Sequence, residues 1–411
     1  MVLDLCISRL VLATGICLSG CRSLPADQAD AADPSLTITP MPGPSSASTG
    51  STARRIYPRL SGGADQLVLS WTEVIGDEQW ALCSSRLQAG GWSPAAKIAE
   101  GEDWFVNWAD IPGVVAGPEG LFAHWLARDE DASHAYHVEY STAAANGPWS
   151  APQLLHEDRS GVEHGFVTAL ALTESFFSVW LDGRQRGSTK LMGRSIAAGA
   201  RAELGGEIEL DGSTCSCCPT TAVLLRDGSV LVAYRDRSPD EVRDIALVRG
   251  IPGEPGSWSE GRVQIRDGWR IPGCPVNGPA LAVGDDRIAM AWFTMGADEK
   301  PRVRLSFSVD GEDFAWASQV DDGLPGGRVS IAAVPGRDAF VVGWLEVLGD
   351  RAQWRVRLVE AGVIRPSVVL ADVSGGRPDG MLTLAAGERD VFAAWTETDT
   401  GAIGLARIQS D

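Results

Sequence analysis

Short apolar runs that end in an aromatic residue recur along the chain. They read LVLSW (Trp71), LFAHW (Trp125), FFSVW (Trp180), VLVAY (Tyr234), IAMAW (Trp292), FVVGW (Trp344) and VFAAW (Trp395), at intervals of 51 to 58 residues. Between them lie further strand-like segments such as ALCSSRL, YHVEYS, KLMGRSI and VRLSFS, and turns such as GPWSAPQLL and SWSEGRVQI. Helical periodicity is nearly absent, and Gly and Pro punctuate throughout, so the pattern predicts short antiparallel strands.

A repeat of about 50 residues with four strands is the unit of a β-propeller. The chain is therefore expected to be all-β, a seven-bladed propeller over residues 54–411. A six-bladed ring is the alternative, and it leaves one repeat without a place. After Trp395 only one more strand fits, so SLTITP at 35–40 is expected to supply the missing outer strand and close the ring. The seven aromatics read as packing between blades, and Cys83 as a lone buried thiol.

In such a blade, with strands A to D running outward from the axis, the loop from D into the next A and the loop from B into C emerge on one face. The first set carries Asn107, Trp108 and Asp110, then Glu163 and His164, then CSCCPTT, then Cys274 and Asn277, then Arg328. The second carries Asp182 and Arg184, then Arg235, Asp236, Arg237, Arg243 and Asp244. These residues are expected to share a mouth, because loops on a rigid scaffold are where binding groups sit.

Asp110, Glu163 and Asp182, with His164 beside them, are the acid/base candidates; two carboxyls flanking a glycosidic bond can hydrolyse it. Trp108, Arg184, Arg235, Arg237, Arg243, Asn277 and Arg328 are the ligand-binding candidates. An Arg fork matches carboxylate, sulfate or phosphate. The competing use of these arginines is pairing with Asp182, Asp236 and Asp244 between blades.

The amino terminus changes the setting. Arg9 precedes an apolar run from Leu10 to Leu18, too short to span a membrane and suited to a signal peptide. Leu18-Ser19-Gly20-Cys21 resembles a bacterial lipobox, which implies cleavage after residue 20 and diacylation of Cys21. Residues 1–20 are then the signal and 21–53 a tether rich in Pro, Ser, Ala, Thr and Gly. Arg22 in place of Asp resembles the outer-membrane default. A net charge of −19 argues against nucleic acid or anionic lipid as a partner.

Export also bears on Cys215, Cys217, Cys218 and Cys274. Disulfides among these four are the first reading in an oxidising compartment, with no metal required. Copper or zinc on the sulfur cluster, with His164 nearby, and a reactive free thiol remain the alternatives.

Taken together, NWADIP, EHGF, WLDGR, CSCCPT, YRDRSPDEVRDI, GWRIPGCPVNGPA and AWFT resemble a group of bacterial sialidase-like, BNR-type propeller lipoproteins, over residues 55–408. The arginine and carboxylate set on the loop face, with the lipobox, leads to the expectation of a monomeric, lipid-anchored protein that binds or hydrolyses an anionic glycan. True sialidases imply an arginine triad, a Tyr/Glu nucleophile pair and an Asp acid. This chain departs from them: SVDGEDF at 308–314 is a degraded Asp-box, Arg270-Ile-Pro272 stands late in the chain, and Tyr57 is the one tyrosine at an axial position. Two other functional classes stay open. One is a metal- or redox-active propeller; the other is a non-catalytic protein-binding platform.

Overall fold

The computed structural model describes residues 36–45, 47, 53–62, 67–129, 135–145, 147–198, 203–254, 256–314 and 316–410. The signal, Cys21 and most of the tether lie outside the described residues. The fold is a ring of seven antiparallel sheets, so the seven-bladed expectation holds and the six-bladed one does not. The described residues contain one short 3-10 turn, Arg377–Asp379, and no helix long and apolar enough to cross a membrane.

Blade one is built from Arg54–Ser61, Val68–Gly76 and Gln79–Gln88, with Gly91–Trp92 and Ala96–Gly101 on its outside. Blades two to six begin at Gly113, His164, Thr221, Ala280 and Pro325. Blade seven takes three strands from the carboxyl end: Thr383–Ala386, Val391–Glu397 and Ala402–Ser410. Its outermost strand is Leu36–Pro40, paired antiparallel from Leu36 opposite Ser410 to Pro40 opposite Ala406. Leu36 is buried in the core between blades six and seven, beside Val341, Leu384 and Ile408. The ring is thus closed as the sequence predicts.

All seven repeating aromatics are buried, and they fill the space between neighbouring sheets. A buried indole N–H needs an acceptor. Trp71 donates to Glu73, Trp180 to Asp182 and Trp344 to Glu346, at 3.2, 2.9 and 2.6 Å. In each case the acid stands two residues on, in the same strand. Trp125 and Trp292 reach Glu139 and Asp267 instead, and the Tyr234 hydroxyl reaches Asp211.

The strand register settles which loops share a face. His164, at the start of the first strand of blade three, lies opposite Asp182, at the end of the second. The starts of the inner strands and the ends of the second strands therefore meet at one end of the ring.

Candidate functional site: the axial mouth

A cavity of about 160 Å³ lies where the inner strands start, and all seven blades contribute to its wall. Its polar lining includes Arg59, Asp110, Thr168, Thr221, Ser330 and Thr383. Arg328 also borders it.

Two matching clasps shape this end. Asp110 precedes the first strand of blade two by three residues, with Pro112 between, and is buried. Its Oδ2 accepts the N–H of Phe166 in blade three at 2.6 Å. Asn277 stands three residues ahead of blade five, with Pro279 between, and its Oδ1 accepts the N–H of Arg328 in blade six at 2.7 Å. Phe166 and Arg328 both have φ near the left-handed region, 54° and 53°. An L residue there is strained. Each clasp fastens that residue to the preceding loop. The preceding glycine makes room: a Cβ on Gly165 would strike the Asp110 carboxylate, and one on Gly327 the Asn277 amide.

Trp108 closes part of the mouth. The Arg328 guanidinium carbon sits 4.6 Å from the indole centroid. The same guanidinium donates to the carbonyls of Gly376 and Gly380, at 2.9 and 3.0 Å.

Arg59 was not singled out by its sequence, yet it lines the cavity. Its Nη1 donates to the Val167 carbonyl at 3.2 Å and lies 3.5 Å from His124 Nε2. Among the described residues no carboxylate lies within ion-pair distance of it. Burial pulls its pKa down, and the field of Asp110 acts the other way. Burial in turn pushes the Asp110 carboxyl up to about 7, against the lowering by the Phe166 N–H and by Arg59.

His164 and Asp182 come together behind this mouth. His164 Nε2 is 3.1 Å from Asp158 Oδ2 and 3.7 Å from Asp182 Oδ2. Burial lowers the His164 pKa, outweighing both carboxylates. Burial alone would raise Asp182, but hydrogen bonds from Arg184 and Trp180 hold it at about 2. His156 stacks on His164 with centroids 3.7 Å apart, and His137 lies 5.2 Å from His156. Neither His137 nor His156 was singled out; two His in one polar-rich segment, separated by a strand and turn, was the available signal. His156 has both ring nitrogens engaged, by the Val138 N–H and the Asp158 carbonyl. Glu163 is exposed, and its carbonyl accepts the Gly183 N–H.

The remaining arginines split by role. Arg184 bonds Asp182 and Glu207, and Arg237 bonds Glu241, so these two are ion-paired at the rim. Arg235 is 1% exposed and donates to the carbonyls of Asn277, Arg243 and Phe293. It holds backbone between blades and is not part of the wall of the axial cavity. Arg243 bonds Glu241 and also points Nη1 at Cys215 Sγ, 3.1 Å away.

Cys215, Cys217 and Cys218 lie on the segment that crosses from the outer edge of blade three to the inner strand of blade four. Cys215 Sγ is 3.4 Å from Cys218 Sγ and 3.7 Å from Cys217 Sγ. All three are unbonded, as are Cys83 and Cys274; Cys83 is buried and Cys274 exposed. Hydrogen bonds from Cys217 and Cys218, aided by Arg243, lower the pKa of Cys215. The bond with Cys215 raises Cys217, and burial raises Cys218 to about 12.

No protein-family model matches the chain, and no curated protein sequence does. Solved structures align with it at low identity. The Hadza microbial sialidase Hz136 is 13% identical with a TM-score of 0.47, covering 83% of this chain and 76% of its own. The Penicillium chrysogenum alpha-L-arabinanase complexed with arabinobiose is 10% identical with a TM-score of 0.47, covering 87% and 93%. The Trypanosoma rangeli sialidase is 10% identical with a TM-score of 0.46, covering 78% of this chain and 56% of its own.

Proposed function

We propose that this propeller binds an anionic glycan, with the acidic group of the sugar held in the axial cavity by Arg59. The observation that carries the reading is a half-buried guanidinium in a cavity, with no carboxylate partner among the described residues. A cation in that position gains most from an incoming anion, because the surroundings screen the charge poorly. Threonine and serine hydroxyls from four other blades line the same space and suit sugar hydroxyls. Trp108 offers an apolar face at the rim.

Hydrolysis is the second reading, and Asp110 favours it. A carboxyl that keeps its proton to about 7 is fitted to act as a general acid near neutral pH. The lipobox-like leader supports export and a lipid on Cys21, which would place the mouth on a bacterial membrane surface.

The test uses the soluble propeller, from residue 34 onward, on an array of sialylated, uronate-containing and sulfated glycans beside their neutral counterparts. Binding is expected to the acidic members and to be lost in Arg59→Ala. Equal retention of acidic and neutral glycans, or an Arg59→Ala variant that binds as well as the parent, refutes the reading. Release of the acidic sugar that stops in Asp110→Asn separates hydrolysis from binding.

A further inference from the structure

We infer that Cys215, Cys217 and Cys218 form a three-sulfur site for a soft monovalent metal ion, Cu(I). This site lies beside the glycan mouth and is independent of it.

The first ground is distance. A covalent disulfide holds its sulfurs at about 2.05 Å. Thiolates that share one metal ion at about 2.3 Å stand about 3.8 Å apart in a tetrahedron and about 4.0 Å apart in a trigonal plane. The separations here are 3.4 and 3.7 Å, and all three sulfurs lie within 4.8 Å of one another. The sulfurs already stand close together, and small shifts bring them to metal-ligand spacing.

The second ground is the backbone that gathers them. The Cys215 N–H is tied to the Arg235 carbonyl at 2.9 Å, which anchors the start of the turn. Pro219 fixes its end, where the chain enters the inner strand Thr221–Leu224. Three of the four residues from Cys215 to Cys218 are cysteines, and two of them are buried while Cys217 keeps partial access. A buried pair and one accessible sulfur give an ion both a seat and a way in. Cys217 also packs on the apolar cluster that Trp108 and Val276 join, which shields the sulfurs from water.

Ligand count selects the ion. Among the described residues, no His, Asp or Glu joins the sulfur group within 4.8 Å. Structural zinc closes its shell with four protein ligands. Soft thiolates favour Cu(I), and a closed-shell monovalent ion is content with three of them. Binding releases the thiol protons to solvent and changes no oxidation state. The Arg243 guanidinium, 3.1 Å from Cys215 Sγ, offsets part of the negative charge that three thiolates bring. It serves as an outer partner, of the kind whose loss weakens metal binding about 10- to 100-fold.

The experiment takes the reduced propeller under anaerobic conditions and titrates it with Cu(I) against a chromophoric Cu(I) chelator. One equivalent is expected to be retained, with thiolate-to-Cu(I) ultraviolet absorption. Cys215→Ser and Cys218→Ser are expected to lose it, Cys274→Ser to keep it, and Arg243→Gln to bind 10- to 100-fold more weakly. Circular dichroism and thermal melting of each variant distinguish loss of the site from loss of the fold. Three results overturn the proposal: no retention against the chelator by the folded parent, retention unchanged in folded Cys215→Ser, or preferential uptake of Co(II) or Zn(II) with a four-coordinate Co(II) spectrum.

Discussion

Trp108 and Arg328 belong to opposite sides of the ring. Trp108 leads into blade two and Arg328 lies in blade six, and the guanidinium nonetheless sits 4.6 Å from the indole centroid. The contact ties the mouth together across the axis. A partly desolvated cation–π pair is worth about 1–2 kcal/mol. Trp108→Ala is expected to lower the urea midpoint by that amount, and Arg328→Lys to lower it too, since one ammonium cannot serve the ring and two carbonyls together. A double variant whose loss equals the sum of the two single losses would show that the pair is not coupled.

Asp110 makes stability depend on pH. Its folded pKa is about 7, against about 3.9 for an unfolded aspartate. The fold therefore binds the proton more tightly. The stabilisation is fully present below pH 4 and is lost as the pH rises through 7. The groups that face it are Arg59 of blade one, Tyr136 of blade two, and Glu163 with the Phe166 and Val167 N–H groups of blade three. Asp110→Asn keeps an oxygen for the Phe166 N–H and carries no charge. The variant is expected to match the parent near pH 4 and to exceed it by roughly 4 kcal/mol at pH 8.5. A stability difference that stays constant across this range would show that Asp110 does not titrate there.

Arg235 is expected to be the most costly to remove of the seven ligand-binding candidates named from sequence. It serves three buried carbonyls from blades four and five. Each acceptor left unsatisfied costs about 1–3 kcal/mol, so Arg235→Met is expected to lose about 3 kcal/mol or more and to yield little soluble protein. Arg237→Met, at the rim, is expected to lose less than about 1 kcal/mol. Equal expression yields and melting temperatures for the two variants would contradict this assignment.

The closing strand has its own prediction. Removing residues up to 52 strips Leu36–Pro40 from blade seven and leaves Ala402–Ser410 as an open edge. Open edges pair with other chains. The truncated protein is expected to melt at lower temperature and to self-associate on a sizing column, and Leu36→Asp is expected to do the same more weakly. A monomeric truncation with the parent's melting temperature would mean that the strand is dispensable.

The ring was legible because packing repeats. Seven aromatics recur at one depth in seven sheets, and no other use of Trp gives that spacing. Leu36–Pro40 was legible from chain length, since blade seven runs short by one strand. Asp110 and Asn277 were legible as polar residues near the mouth, and their shared place three residues before a strand, behind a proline, was there to be read. Their clasping role was not, because their partners sit in the next blade, 56 and 51 residues on. Arg59 was hidden by a bulge. The pairing slips between Ile56 and Arg59, and Tyr57 takes φ 54°. Alternation of inward and outward positions fails across such a slip. Arg235 and Arg237 are two residues apart in one segment and look alike; the first turns into the blade interface and the second to solvent.

The borrowed strand of blade seven also sets the timetable of biosynthesis. Leu36 leaves the ribosome among the earliest described residues, and its partner Ser410 among the last. Six sheets can assemble in turn as translation proceeds, while the amino-terminal segment waits unpaired. Contacts so distant along the chain form slowly. The final latch therefore falls shut only once both of its strands are present, and until then a cell must keep an unfinished circle from meeting its neighbours.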